Sequence, residues 1–209
     1  MDSYRKTITI ESGRINAGFP FTNEVRNLKD NFNVAICRLH NLLRTVQRDK
    51  EKFKLYNDTF TSYLQDGRGR HTRRFYLPHR NVWTPSKSAK LRVVFDASSH
   101  AIDELSLNDV IYEEHSLTPL IHEVLLKFRT HVYTMVADIQ KAFLQIRLPA
   151  NHRDVTRFLW MKDISLPATG SNLKHLRFCR VPFGINASPA ILNQCILKHI
   201  EASRSEISQ

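Results

Sequence analysis

The segment Tyr133-Thr-Met-Val-Ala-Asp138-Ile-Gln-Lys-Ala-Phe143 carries the strongest chemical signal in the chain. A partly β-branched apolar run ends in one carboxylate, and an aromatic residue follows five positions later. The run reads as a buried strand. A lone carboxylate at the end of such a strand is costly unless it is paired, hydrogen-bonded or bound to a metal. Held rigidly there, it suits Mg2+, which demands hard oxygen ligands, and hence metal-assisted phosphoryl transfer. The competing reading is an aspartate that caps the turn after the strand.

Two other segments have chemical potential. In Lys90-Leu-Arg92-Val-Val-Phe-Asp96, side chains alternate, with Leu91, Val93 and Phe95 on one side and Arg92, Val94 and Asp96 on the other. Taken alone, Arg92 is an exposed residue on the outer face of a strand. Arg180-Val-Pro-Phe-Gly184-Ile-Asn-Ala-Ser188-Pro189 reads as a turn opening a helix. Gly184 lets backbone approach a ligand closely, and Pro189 fits the first helical position. On the plainer reading this is only a turn and a capped helix, and Phe143 only a core aromatic.

Over the whole chain, 31 Lys+Arg against 20 Asp+Glu in 209 residues give a formal charge of +11. That excess favours a polyanionic partner, most simply nucleic acid. A dense basic group falls at Arg68, Arg70, Arg73 and Arg74, with Arg80, Lys87, Lys90 and Arg92 after it. Cys37, Cys179 and Cys195 have neither disulfide nor metal spacing; Cys37 and Cys195 fall on apolar helix faces and read as core thiols. The N-terminus lacks the apolar core of a signal peptide, and no run reaches the ~18 apolar residues of a membrane span. The expectation is an intracellular chain, cytoplasmic or nuclear and not secreted, without a membrane partner.

The elements that must position these residues follow from periodicity. Apolar residues at 32, 35, 36, 39, 42, 43 and 46 predict a helix, with Asp30 or Asn31 as its cap. A second helix carries Phe53, Tyr56, Phe60, Tyr63 and Leu64 and ends at Gly67 and Gly69. Strands are predicted over 75–83 and 91–96, then a helix opened by Thr118-Pro119 and carrying Leu120, Ile121, Val124, Leu125 and Phe128, and then the strand ending at Asp138. Residues 155–161 and 174–181 predict a hairpin. The last helix starts at Ser188-Pro189, buries Ile191, Leu192, Cys195, Ile196, His199 and Ile200, and gives way to a polar tail.

The order of the three chemical segments resembles the fingers and palm of retroelement reverse transcriptases. The wording is most similar to the BEL/Pao group of LTR retrotransposons: Tyr76-Leu-Pro-His79, Leu91-Arg-Val-Val-Phe-Asp-Ala-Ser98, Leu105-Ser-Leu-Asn108, Ala137-Asp-Ile-Gln-Lys141 and Arg157-Phe-Leu-Trp160. The resemblance spans about residues 75–200. It implies that Asp138 is a catalytic, metal-binding carboxylate and that the Ile139 carbonyl helps coordinate Mg2+. It implies that Phe143 lies under the incoming sugar and that Arg92, assisted by Lys90 or Lys87, holds the triphosphate. Pro182, Phe183 and Gly184 would line the nucleotide and template pocket. The implied partners are an RNA or DNA primer–template and deoxynucleotide triphosphates, and the implied reaction is RNA-directed DNA synthesis.

Two-metal chemistry needs further carboxylates, which the family supplies from a Tyr-x-Asp-Asp hairpin. The sequence contains no Asp-Asp pair. The expectation is therefore an α+β fragment of a Pol polyprotein, inactive alone: residues 1–70 a helical, connector-like segment, and 71–209 an incomplete fingers–palm unit of a right-hand polymerase. The rival expectation is a non-catalytic basic module that binds nucleic acid.

Overall fold

The computed structural model describes residues 2–63, 74–84, 91–113 and 119–207. Lys87, Lys90 and the basic run 68–73 lie outside the described residues.

The chain opens with a short helix α1 (Asp2–Lys6) and a hairpin, β1 (Ile8–Glu11) and β2 (Arg14–Ala17). Ser12 and Gly13 form its two-residue turn, both with positive φ (50° and 69°), the backbone twist that a tight hairpin requires. The predicted helical pair follows as α2 (Phe32–Val46) and α3 (Lys50–Tyr63). Asp30 caps α2 by accepting from the Phe32 amide at 2.8 Å. Asn31 is otherwise occupied. Its buried amide donates to the Tyr76 and Ser99 carbonyls at 2.8 and 2.9 Å, while its Oδ1 accepts from the Tyr76 amide at 2.7 Å. One side chain thus ties the start of α2 to the Tyr76-Leu-Pro-His79 segment.

The expected strands form as β3 (His79–Trp83) paired antiparallel with β4 (Leu91–Phe95), Trp83 opposite Leu91. Helix α4 (Ile121–Arg129) and one turn of helix α5 (Ala142–Gln145) come next. The predicted hairpin appears as β5 (Arg157–Met161) and β6 (Leu173–Arg177), and α6 (Ser188–Ile207) closes the order. Each sheet among the described residues is a two-stranded antiparallel pair, so the architecture is α+β.

Every residue of β5 is buried, because the chain covers it on all sides. Residues 75–77 run alongside it, with Leu77 donating to Arg157 and Arg157 to Phe75. Helix α3 lays Tyr56 and Phe60 against Trp160 and Phe158, and His79, Phe95 and Phe178 complete the cluster. Arg157 is buried there with Asp154 (Nε–Oδ1 2.9 Å), which also pairs with Arg177 at 3.2 Å. A buried charge is tolerable when held by two opposite partners in this way.

His79 sits at the centre of the aromatic cluster. Its Nε2 lies 2.9 Å from the Leu159 carbonyl, which can only accept, so Nε2 carries the proton and Nδ1 accepts from the Tyr56 hydroxyl at 2.5 Å. Burial lowers the imidazole pKa to about 4. The ring is thus held neutral, bridging α3 to the two strand pairs.

Three expectations are corrected. Residues 133–138 form no strand and are exposed, Tyr133, Met135 and Val136 at 92, 94 and 86%. No backbone amide from 131 to 140 donates to another described residue, and none of the described strands pairs with this stretch. Helix α4 forms as expected, and Leu120, Ile121, Leu125 and Phe128 are exposed. Cys37 is exposed, turned to the flank of the stripe Ala35, Leu39, Leu42, Leu43 and Val46. Cys195 is buried as expected, and burial raises its thiol to about 12. The predicted polar tail instead continues α6 to Ile207, leaving His199 and Ile200 exposed.

Candidate functional site

A cleft of about 490 Å3 opens between α3, the β3–β4 pair, α5 and the turn before α6. Its floor is aromatic, with Phe60, Phe95, Phe158 and Phe178, and Leu91 and Val93 of β4 form one wall. Three of its lining residues come from the three chemical segments of the sequence: Arg92 from β4, Lys141 from the turn after Asp138, and Phe183 from the turn before α6. An apolar floor with two cations at its edge accommodates an organic anion with a flat, apolar part.

Each segment is held by a specific local device. Arg92 stands opposite Val82 on the solvent side of the strand whose other face, Leu91, Val93 and Phe95, packs on the core. Lys141 adopts a left-handed conformation (φ 52°) that caps the start of α5, unusual for a residue with a Cβ and found where surrounding structure enforces it. Phe143 is half-buried and meets Phe183 edge to face, ring centroids 4.7 Å apart. Phe183 itself is half exposed.

The turn before α6 is fixed from both sides. Asn108 donates to Ser98 Oγ at 2.8 Å and accepts from the Asn186 amide at 3.1 Å, so the loop after β4 clamps the turn. Ser188 Oγ donates to the carbonyl of buried Pro182 at 2.8 Å. Gly184 has φ 88°, and a β-carbon built on it would stand 2.1 Å from the Phe95 carbonyl oxygen. The close approach that the sequence assigned to a ligand is made here by the chain's own β4.

The expected site residues therefore divide. Arg92, Phe143, Pro182, Phe183 and Gly184 gather at or beside the cleft. Asp138 and Ile139 do not; both lie on the exposed, unpaired stretch, and Lys90 is outside the described residues. Lys141 was in a quoted motif without a role, and its presence at the cleft depends on a backbone conformation that periodicity does not encode.

A two-Mg2+ centre requires carboxylates converging on ions about 3.5–4 Å apart. Among the described residues, no three His, Cys, Asp or Glu side chains gather so as to hold a metal, and Asp138 is exposed. The residues present do not fit such a centre. Among the described residues, no helix is long and apolar enough to cross a membrane.

No protein-family model and no curated protein matches this chain.

Proposed function

We propose that this chain forms the fingers and part of the palm of a BEL/Pao-type reverse transcriptase, and that its cleft holds a nucleoside triphosphate. The observation that carries this reading is convergence. Arg92, Lys141 and Phe183 lie far apart in sequence, each within or beside a motif quoted for the resemblance, and they line one cleft. In this reading Arg92 grips triphosphate oxygens through its planar fork and Lys141 adds a point charge. The phenylalanines exclude water from one side of the bound molecule, which strengthens both contacts. Nucleotide holding is what these residues supply; joining a nucleotide to a primer needs carboxylates that are not brought together among the described residues.

The test is equilibrium binding of a deoxynucleoside triphosphate to the whole chain. Arg92→Ala and Lys141→Ala are each expected to weaken it about tenfold, and Lys87→Ala less. Equal effects of Arg92→Ala and Lys87→Ala would reduce Arg92 to a surface charge. A second reading, a non-catalytic basic module that binds nucleic acid, is favoured by the formal charge of +11 and the isolated Asp138. It predicts binding of nucleic acid with no measurable affinity for free triphosphate.

A further inference from the structure

Away from the cleft, three short extended segments lie side by side: β2, residues 146–148 and residues 179–181. The Ala17 amide donates to Arg147 and the Arg147 amide to Ile15, both at 2.9 Å, while Leu148 donates to Cys179 at 2.9 Å and Val181 to Ile146 at 3.1 Å. Asn16 is the direct partner of Arg147, and Arg147 the direct partner of Arg180. Direct partners project to the same face, with β-carbons about 4.5–5.5 Å apart. Arg14 is two residues from Asn16 on β2, so it shares that face. Arg14, Arg147 and Arg180 therefore stand in a row across this layer.

Arg153 stands close by, its Nε donating to the Leu148 carbonyl at 2.8 Å. Burial, and then the guanidiniums of Arg147, Arg14 and Arg153, hold the pKa of Arg180 below its ordinary value. No ion pair among the described residues involves any of the four. Glu11, opposite Arg14 in the hairpin, accepts from Thr9 Oγ1 at 3.1 Å. Backbone pairing draws Arg14, Arg147 and Arg180 together and Arg153 stands beside them, while Glu11, the partner of Arg14, is the carboxylate that pairing places on this face, so the excess of positive charge is a standing electrostatic cost that a bound anion relieves.

We propose that Arg14, Arg147, Arg153 and Arg180 form a second binding face, which takes the phosphate backbone of a nucleic acid. None of the four lines the cleft, so the proposal does not depend on the nucleotide reading. The row crosses two strand spacings, about 10 Å, and steps along β2 besides. One phosphate cannot span that length, whereas successive phosphates of one strand can. Each guanidinium brings five N–H donors in a fork that fits phosphate oxygens, and the backbone carbonyls of Leu148 and Gln145 engage one donor each on Arg153 and Arg180.

The test is fluorescence anisotropy of a labelled 20-base-pair duplex with the whole chain, between 50 and 200 mM salt. The double variant Arg147→Gln/Arg180→Gln is expected to bind at least about tenfold more weakly at low salt. Its log–log salt slope should fall by about 2, since each lost phosphate contact removes about 0.9. Arg147→Lys/Arg180→Lys, which keeps the charge, should retain most of the slope, and this holds the test together if the neutral variant folds poorly. Arg38→Gln/Arg44→Gln removes the same charge from the exposed side of α2 and should change little. An equal loss in that control would overturn the proposal in favour of diffuse net charge. Capture of phosphatidylserine vesicles with the same dependence on Arg147 and Arg180, and no duplex binding, would overturn the nucleic-acid assignment.

Discussion

Gly184 lies against the carbonyl of Phe95 so closely that a β-carbon on it would stand 2.1 Å from that oxygen. The obstacle is backbone, which cannot rotate away as a side chain would, and φ at this position is 88°. The turn before α6 and the end of β4 are therefore one packed unit, and Phe183 reaches the cleft through it. Gly184→Ala is expected to cost about 2–4 kcal/mol, from positive-φ strain and the displaced contact. Urea unfolding measures this. A change below about 0.5 kcal/mol would mean that the turn is free to move and that the cleft wall is not fixed by it.

Stability is expected to fall with acid through His79. Its folded pKa is lowered to about 4 by burial against an ordinary value of 6.5. Between those values the unfolded chain binds a proton that the folded chain does not, so unfolding becomes easier as pH falls. From pH 7 to pH 5 the loss from this one group is about 2 kcal/mol. His152 and His175, also lowered chiefly by burial, act in the same direction. The difference between the parent chain and His79→Gln isolates the first contribution. An identical pH dependence in both would refute it.

Asp138 is exposed, so Asp138→Asn should shift stability by no more than about 0.5 kcal/mol. The same geometry predicts no primer extension on an RNA template by the 209-residue chain, with Mg2+ or Mn2+ supplied. Robust synthesis that disappears in Asp138→Asn would show that carboxylates converge in solution as they do not in this structure.

The stretch from Ile121 to Ile139 should be the first to open. More than half of the exposed large apolar side chains among the described residues fall between Leu120 and Ile139, and the amides from 131 to 140 have no internal acceptor among those residues. Brief trypsin treatment should cut after Lys127 or Arg129, and hydrogen exchange over 132–138 should finish long before that of β5. Protection of 132–138 equal to that of β5 would contradict the unpaired description.

Much of the local structure was legible in the sequence because it is locally encoded. The apolar stripe of α2, the start of α6 at Ser188, the alternation of Leu91, Val93 and Phe95 and the β5–β6 hairpin each follow from periodicity and turn residues within a few positions. The β1–β2 hairpin was not legible, since Ser12-Gly13 is a weak signal and the strands are four residues long. Arg92, Phe143 and Phe183 were singled out by the resemblance to reverse transcriptases, not by type and spacing alone. Only folding brought Arg92, Lys141 and Phe183 to one cleft and put Arg14 beside Arg147 and Arg180. Tertiary structure likewise decided the fate of 133–138. A β-branched run specifies a strand only where a neighbour supplies hydrogen bonds and an apolar face, and periodicity reports the readiness of a segment to pair, not the presence of its partner.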